Sequence, residues 1–374
     1  MKLILFSKYR THIMGAAMMW VMYLHTIYFG NSQFGHIFHN MGIFGVDMFL
    51  MVSGLGIYFS MRKSKSIGDF YKKRAVRILP AYFIVAISWY AFFKIEFSLG
   101  EKLKAIFGIN YFKGSIYHIY EFFDWFIPFI IIMYLLTPLY DKLFQKVESK
   151  WKLTVLACMI SPILVIIAVK TGRQPLFYSI CRIPIYLIGY CMGWFLYEKK
   201  EEKKGSWMVF MPLLFMGALC SYMVQTYMDT YNAKWGLKSY IALLVAPGLS
   251  MLFAFICMYL EKWLKLAGKI ILLPFYICGR YSLEIYLLHQ RFLDMFDSAK
   301  FTSVKNALVT AVGKKWYYFF IALFAVAIGA LLHEGIALVI RLINKSKKKD
   351  EPAPTPEPIP ESVPESIPAE TAAE

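Results

Sequence analysis

The stretch "MMWVMYLHTIYFG", residues 18–30, is apolar or aromatic at almost every position and carries one histidine, His25, near its middle. Whether this run belongs to a soluble core or to a bilayer depends on how much of the chain resembles it. Of the 374 residues, 59% are hydrophobic, 18% aromatic and 17% charged, whereas soluble domains hold about 45–50% apolar and about 25% charged residues. A soluble core cannot absorb that excess. Apolar runs of about 20 residues, each long enough to cross the hydrocarbon as a helix, recur between short basic segments.

They fall at 13–30, 37–60, 78–98, 122–140, 153–171, 176–197, 207–227, 238–260, 270–290 and 317–343. Lipid offers the backbone no hydrogen-bond partner, so these segments must be helices. The expected fold is all-α, a polytopic integral membrane bundle of about ten transmembrane helices. The segment 122–140 fits the pattern least well, because Asp124 and Pro128 interrupt it.

The basic residues test this topology independently. Of 41 Lys and Arg, 26 fall on the side of the N-terminus and 13 on the other, with Arg182 and Arg280 inside helices. That bias predicts a multi-pass protein of the cell membrane with both termini cytoplasmic. The net charge of +17 is then topology signal and attraction to lipid headgroups. Charges divided among loops on two sides of a bilayer make no nucleic-acid surface. The six cysteines lie inside the apolar runs without a CxxC pair, so they read as small hydrophobes, with neither a disulfide framework nor a metal site expected.

Residues 1–344 form the membrane domain on this reading. The remainder, 345–374, passes from a basic cluster to a Pro/Glu tract and is expected to be a disordered cytoplasmic tail. No repeat of 20 to 50 residues is visible, which disfavours a transporter built from symmetric halves.

Titratable side chains at bilayer depth are costly and usually face the bundle interior or a wet cavity. Here they are His25, Asp47, Arg182, Arg280, Glu284, His289, His333 and Glu334. Counting 1.5 Å per residue, His25 lies about 18 Å and Asp47 about 20 Å from the same face, on helices joined by a short loop. A carboxylate there would hold the imidazole's tautomer and leave the second ring nitrogen as a general base. A plain interhelical ion pair fits the same spacing. Arg280 and Glu284 are four apart and share a helix face, so that pair can neutralise itself. His333 and Glu334 are adjacent and point apart.

The segment "FYKKRAVRILPAYF", residues 70–83, places Arg74 and Arg77 three apart on one helical face at the cytoplasmic mouth. Arginine forks bind phosphates bidentately, which suits an anionic cofactor arriving from the cytosol. Ordinary positive-inside charge explains the same residues.

Taken together, "AAMMWVMYLH", "GIFGVDMFLMVSGLGIYFS", "FYKKRAVRILPAYF", "DWFIPFIIIMYLLTPLY", "RIPIYLIGYCMGWF" and "SLEIYLLHQ" resemble, in order, segments of the acyltransferase type-three family of integral membrane acyltransferases. The resemblance implies an O-acyltransferase that moves an acyl group, acetyl in the first instance, from acyl-CoA to a hydroxyl of a cell-envelope or exported carbohydrate. It implies His25 as the catalytic base and Arg74 and Arg77 as the coenzyme A site; Asp47 is a catalytic candidate by its depth beside His25, and the spacing suggests no metal. Ser53, Arg182, Glu284 and His289 are further candidates. The expected partners are the carbohydrate, acyl-CoA and the surrounding lipids. Many members carry an arginine eleven residues before the histidine, where this chain has Met14; Arg10 lies one turn earlier. The competing function is a transporter or flippase for polysaccharide or lipid-linked sugar.

Overall fold

The computed structural model describes residues 3–26, 30–93, 98–113, 125–173, 176–199, 207–227 and 231–350. Among them there is no strand. The principal helices are α1 (Arg10–Leu24), α2 (Phe44–Lys63), α3 (Ile67–Phe93), α4 (Phe126–Lys146), α5 (Lys150–Cys158), α6 (Ile160–Lys170), α7 (Ile183–Trp194), α8 (Trp207–Tyr227), α9 (Tyr231–Arg280), α10 (Ser282–Phe296), α11 (Thr302–Val312) and α12 (Lys314–Asp350). This is an all-α, multi-pass membrane bundle.

Seven described segments are long and apolar enough to cross a membrane, against ten expected. The difference has local causes. Helix α1 ends at Leu24, so it is shorter than the run 13–30 suggested. Within α8 the apolar stretch is Met211–Val224. The long segment Tyr240–Arg280 is broken at Lys265, whose φ of 45° is the left-handed backbone that non-glycine residues avoid. That break falls in the basic stretch between two apolar runs, at the place where a loop was expected.

Two further boundaries move. The fourth run begins as helix at Phe126, with Pro128 in the first turn where its missing N–H costs nothing; Asp124 lies outside the described residues. The last helix continues to Asp350 instead of stopping near 343. The expected Pro/Glu tail beyond Asp350 also lies outside the described residues. The chain divides into two compact units, Met1–Glu334 and Gly335–Glu374; the first holds every side chain discussed below.

The segment Gln33–Lys63, which ends in α2, is the most enclosed, with 83% of its apolar stretch buried, whereas the segment made by α5 and α6 is 17% buried. Apolar residues on the outer faces, such as Leu135, Leu139, Ile163 and Ile166, are exposed, as lipid contact requires. Without a hydrophobic drive between helices in lipid, close packing at small residues holds such a bundle together. Gly54 and Gly189 bring α2 and α7 into backbone contact: a Cβ on Gly54 would stand 2.2 Å from the Tyr186 carbonyl oxygen. Gly15 and Gly279 do the same for α1 and the second half of α9, where the clearances would be 1.7 and 1.8 Å.

Candidate active site

The turn that ends α1 places His25. It is the C-cap residue, its N–H bonded back to the Val21 and Met22 carbonyls, and it is exposed. Its position is therefore the end of the helix, not the middle of a continuous span. One edge of its imidazole meets His289 of α10, with ring centroids 5.1 Å apart and planes at 61°. His289 is 4% exposed. Its Nδ1 lies 2.7 Å from the Tyr286 carbonyl and 3.2 Å from that of Ile285. Carbonyls only accept, so Nδ1 carries the hydrogen, and in the neutral ring Nε2 keeps a lone pair. That Nε2 is buried without a partner.

Two more groups stand near the pair. Arg291 acts electrostatically on both histidines; it is bonded to Asp294 at 3.1 Å and stacked on Trp89. His39 acts on His25 and lies 2.9 Å through Nε2 from the Thr26 carbonyl, which anchors the chain just past the helix end. Among the described residues no group of three or more His, Cys, Asp or Glu is arranged to hold a metal.

Asp47 is not part of this cluster. Its Oδ1 lies 3.4 Å from Nε of Arg182, both side chains 1% exposed, and neither carboxylate oxygen has a hydrogen-bond partner. Arg182 is further fixed by the Trp125 ring, 4.9 Å away, and by its hydrogen bond to the Tyr178 carbonyl. The expected His25–Asp47 contact is therefore replaced by a buried ion pair between α2 and the N-cap of α7. Equal depth on neighbouring helices does not fix which faces meet. Ser53 is buried on α2, and among the described residues no hydrogen bond joins it to either histidine.

At the other end of α1, about 22 Å from His25 by helical rise, arginines converge. Arg10, Arg74 and Arg77 all act electrostatically on the Tyr134 hydroxyl of α4. Arg10 and Arg74 also repel one another. The Arg74 guanidinium lies 5.9 Å from the Phe70 ring centre and 6.0 Å from that of Tyr134. Arg10 lies against Gly56: a Cβ there would stand 2.4 Å from its Cζ. Neither Arg10 nor Arg74 has an ion-pairing carboxylate among the described residues, and the Nε of each is buried without a partner.

Arg77 differs. It donates to both oxygens of Glu284, at 2.5 and 3.4 Å, and His333 Nδ1 reaches the same carboxylate at 3.0 Å. Glu284 therefore pairs with α3 and not with Arg280, which bonds Glu334 at 2.7 Å. The i,i+4 expectation fails because Tyr281 leaves helical geometry between α9 and α10, so the two residues do not share one helix. His333 and Glu334 take different partners, as adjacent helical residues should.

Sequence reasoning named His25, His289 and the two arginines of the loop as candidates. It did not join His25 to His289, and it left out His39 and the grouping of Arg10 with Arg74. The available signal for Arg10 was its place one turn before Met14 on the same helix. No curated protein and no solved structure matches the chain at a significant level. One sequence profile does, that described as "Acyltransferase domain", over residues 14–334. The match covers His25, the arginine pair and the segment that ends in His289, and on that extent the chain belongs to the acyltransferase type-three family.

Proposed function

We propose that this chain is an O-acyltransferase that moves an acyl group, acetyl in our reading, from coenzyme A to a hydroxyl of a cell-envelope or exported carbohydrate. One observation carries the reading. Helix α1 has an exposed imidazole beside a buried one at its far end and an uncompensated arginine pair, Arg10 and Arg74, at its near end. Guanidinium forks suit the phosphates of coenzyme A, and the helix length between them is the path for its extended arm.

In this reading the near end faces the cytoplasm, the side that the excess of basic residues favours. Arg10 takes up the task left open by Met14. Arg77 is held by Glu284 and serves chiefly to shape the mouth.

At the far end the free nitrogen of His25 accepts the proton of the acceptor hydroxyl as its oxygen attacks the thioester carbonyl. The carbon–sulfur bond breaks, and the proton passes to the departing thiolate. The products are the ester and coenzyme A as the free thiol. His289, with Nδ1–H committed to backbone carbonyls, is a positioning residue that sets the orientation of the His25 ring.

The test is acyl transfer by the purified full chain in detergent or liposomes, supplied with acetyl-CoA and isolated envelope glycans. His25→Gln is expected to lower the rate about 10²- to 10⁴-fold, the range for loss of a general base, with membrane insertion intact. Transfer at the original rate by properly inserted His25→Gln would overturn the assignment.

A further inference from the structure

One helical turn from His25 along α1, between α1, α2, α4 and α10, is a small, partly open cavity of about 20 Å³ whose exposed lining is entirely apolar. Ala17, Met18 and Val21 of α1 form one wall, and Val46 of α2 and Leu283 of α10 face them. Val21 is one turn before His25, whose N–H bonds to its carbonyl. Tyr286, also in the lining, places its ring 5.8 Å from that of His289 and 5.0 Å from that of Phe126. One wall of the cavity thus lies within one helical turn of the proposed general base.

Space of this kind has a narrow range of occupants. A void must offer about 10–15 Å³ to admit even a water, and a water needs polar partners to stay. This lining supplies none, so water is disfavoured, and the void is too small for a long hydrocarbon chain. We infer that this cavity receives the acyl group of the donor thioester and restricts it to two carbons or little more, with Met18 as its floor. The inference rests on the acyltransferase reading and adds to it the residues that select the donor. A further methylene has no room, and in an apolar pocket one methylene changes discrimination about 10- to 200-fold.

Binding tests this without knowledge of the acceptor. Calorimetry on the purified full chain would compare coenzyme A, acetyl-CoA, butanoyl-CoA and hexanoyl-CoA. The wild-type chain is expected to bind hexanoyl-CoA at least about tenfold more weakly than acetyl-CoA. Met18→Ala, which lengthens the cavity, should reduce that ratio about tenfold, and Leu283→Ala, which opens it from the opposite helix, should act in the same direction. Coenzyme A, which has no acyl group, is the control for folding in each variant.

Affinity that rises steadily with chain length in the wild-type chain would overturn the inference, as would ratios unchanged in both variants. The acyltransferase reading would survive either result, because coenzyme A would still bind. If none of the four ligands bound the wild-type chain, that reading would fail and the pocket assignment with it.

Discussion

Asp47 and Arg182 show how a single pair of residues separates a catalytic role from a structural one. Each is 1% exposed, and they lie 3.4 Å apart, so neither charge has water to turn to. Removing one partner of such a pair leaves the other charge uncompensated and costs about 3–5 kcal/mol, while replacing both by apolar groups is often neutral. Asp47→Asn is therefore expected to lower stability by about 3 kcal/mol or more, and Asp47→Leu with Arg182→Met to recover most of it, read by thermal unfolding in detergent. A stable Asp47→Asn protein that had lost only activity would return Asp47 to the reaction. The sequence made both residues visible as charges inside apolar runs. It could not pair them, because the contact is set by how α2 rotates against α7, and nothing local to either helix specifies that rotation.

Helices present a different balance of what could be read. Hydropathy placed nearly every apolar element, because lipid permits only helices and demands about 20 residues of each. Helix ends were less evenly legible: α1 stops at Leu24 inside an apolar run, whereas the break of α9 at Lys265 falls in the basic stretch where a loop was expected. The crossings depend on glycine. A methyl on Gly279 would meet the Thr11 carbonyl oxygen at 1.8 Å, and backbone cannot yield as a flexible side chain does. Gly279→Ala should force α1 and α9 apart and cost at least about 1–3 kcal/mol, the usual range for overpacking. Gly335→Ala, with nothing within 4 Å of the new methyl, should leave the unfolding temperature unchanged or raise it slightly. Equal losses in the two variants would remove close packing as the cause.

At the scale of the molecule, function on this reading requires two chemistries at the two ends of one helix, cationic at Arg10 and titratable at His25. The profile match over residues 14–334 begins after Arg10, so this arginine is a feature of the chain that only its fold connects to Arg74. Arg10→Gln and Arg74→Gln are each expected to weaken acyl-CoA binding about tenfold, an effect that shrinks as salt is raised because the attraction is ionic. Arg77→Gln should weaken binding less, since Glu284 already holds that side chain, and should show its effect chiefly as lost stability. If Arg77→Gln proved the most damaging to binding, the assignment of Arg10 and Arg74 as the anion site would be reversed.

The bare backbone of Gly56 gives Arg10 its seat, and this makes residue 56 of one helix a licence for the charge carried by another. A methyl at 56 would stand 2.4 Å from the guanidinium carbon, so the guanidinium would have to move. Gly56→Ala should therefore mimic Arg10→Gln in its loss of ligand affinity while leaving the arginine itself in place. Met14→Arg is expected to rescue binding, because it sets a cation on α1 one turn away from that seat.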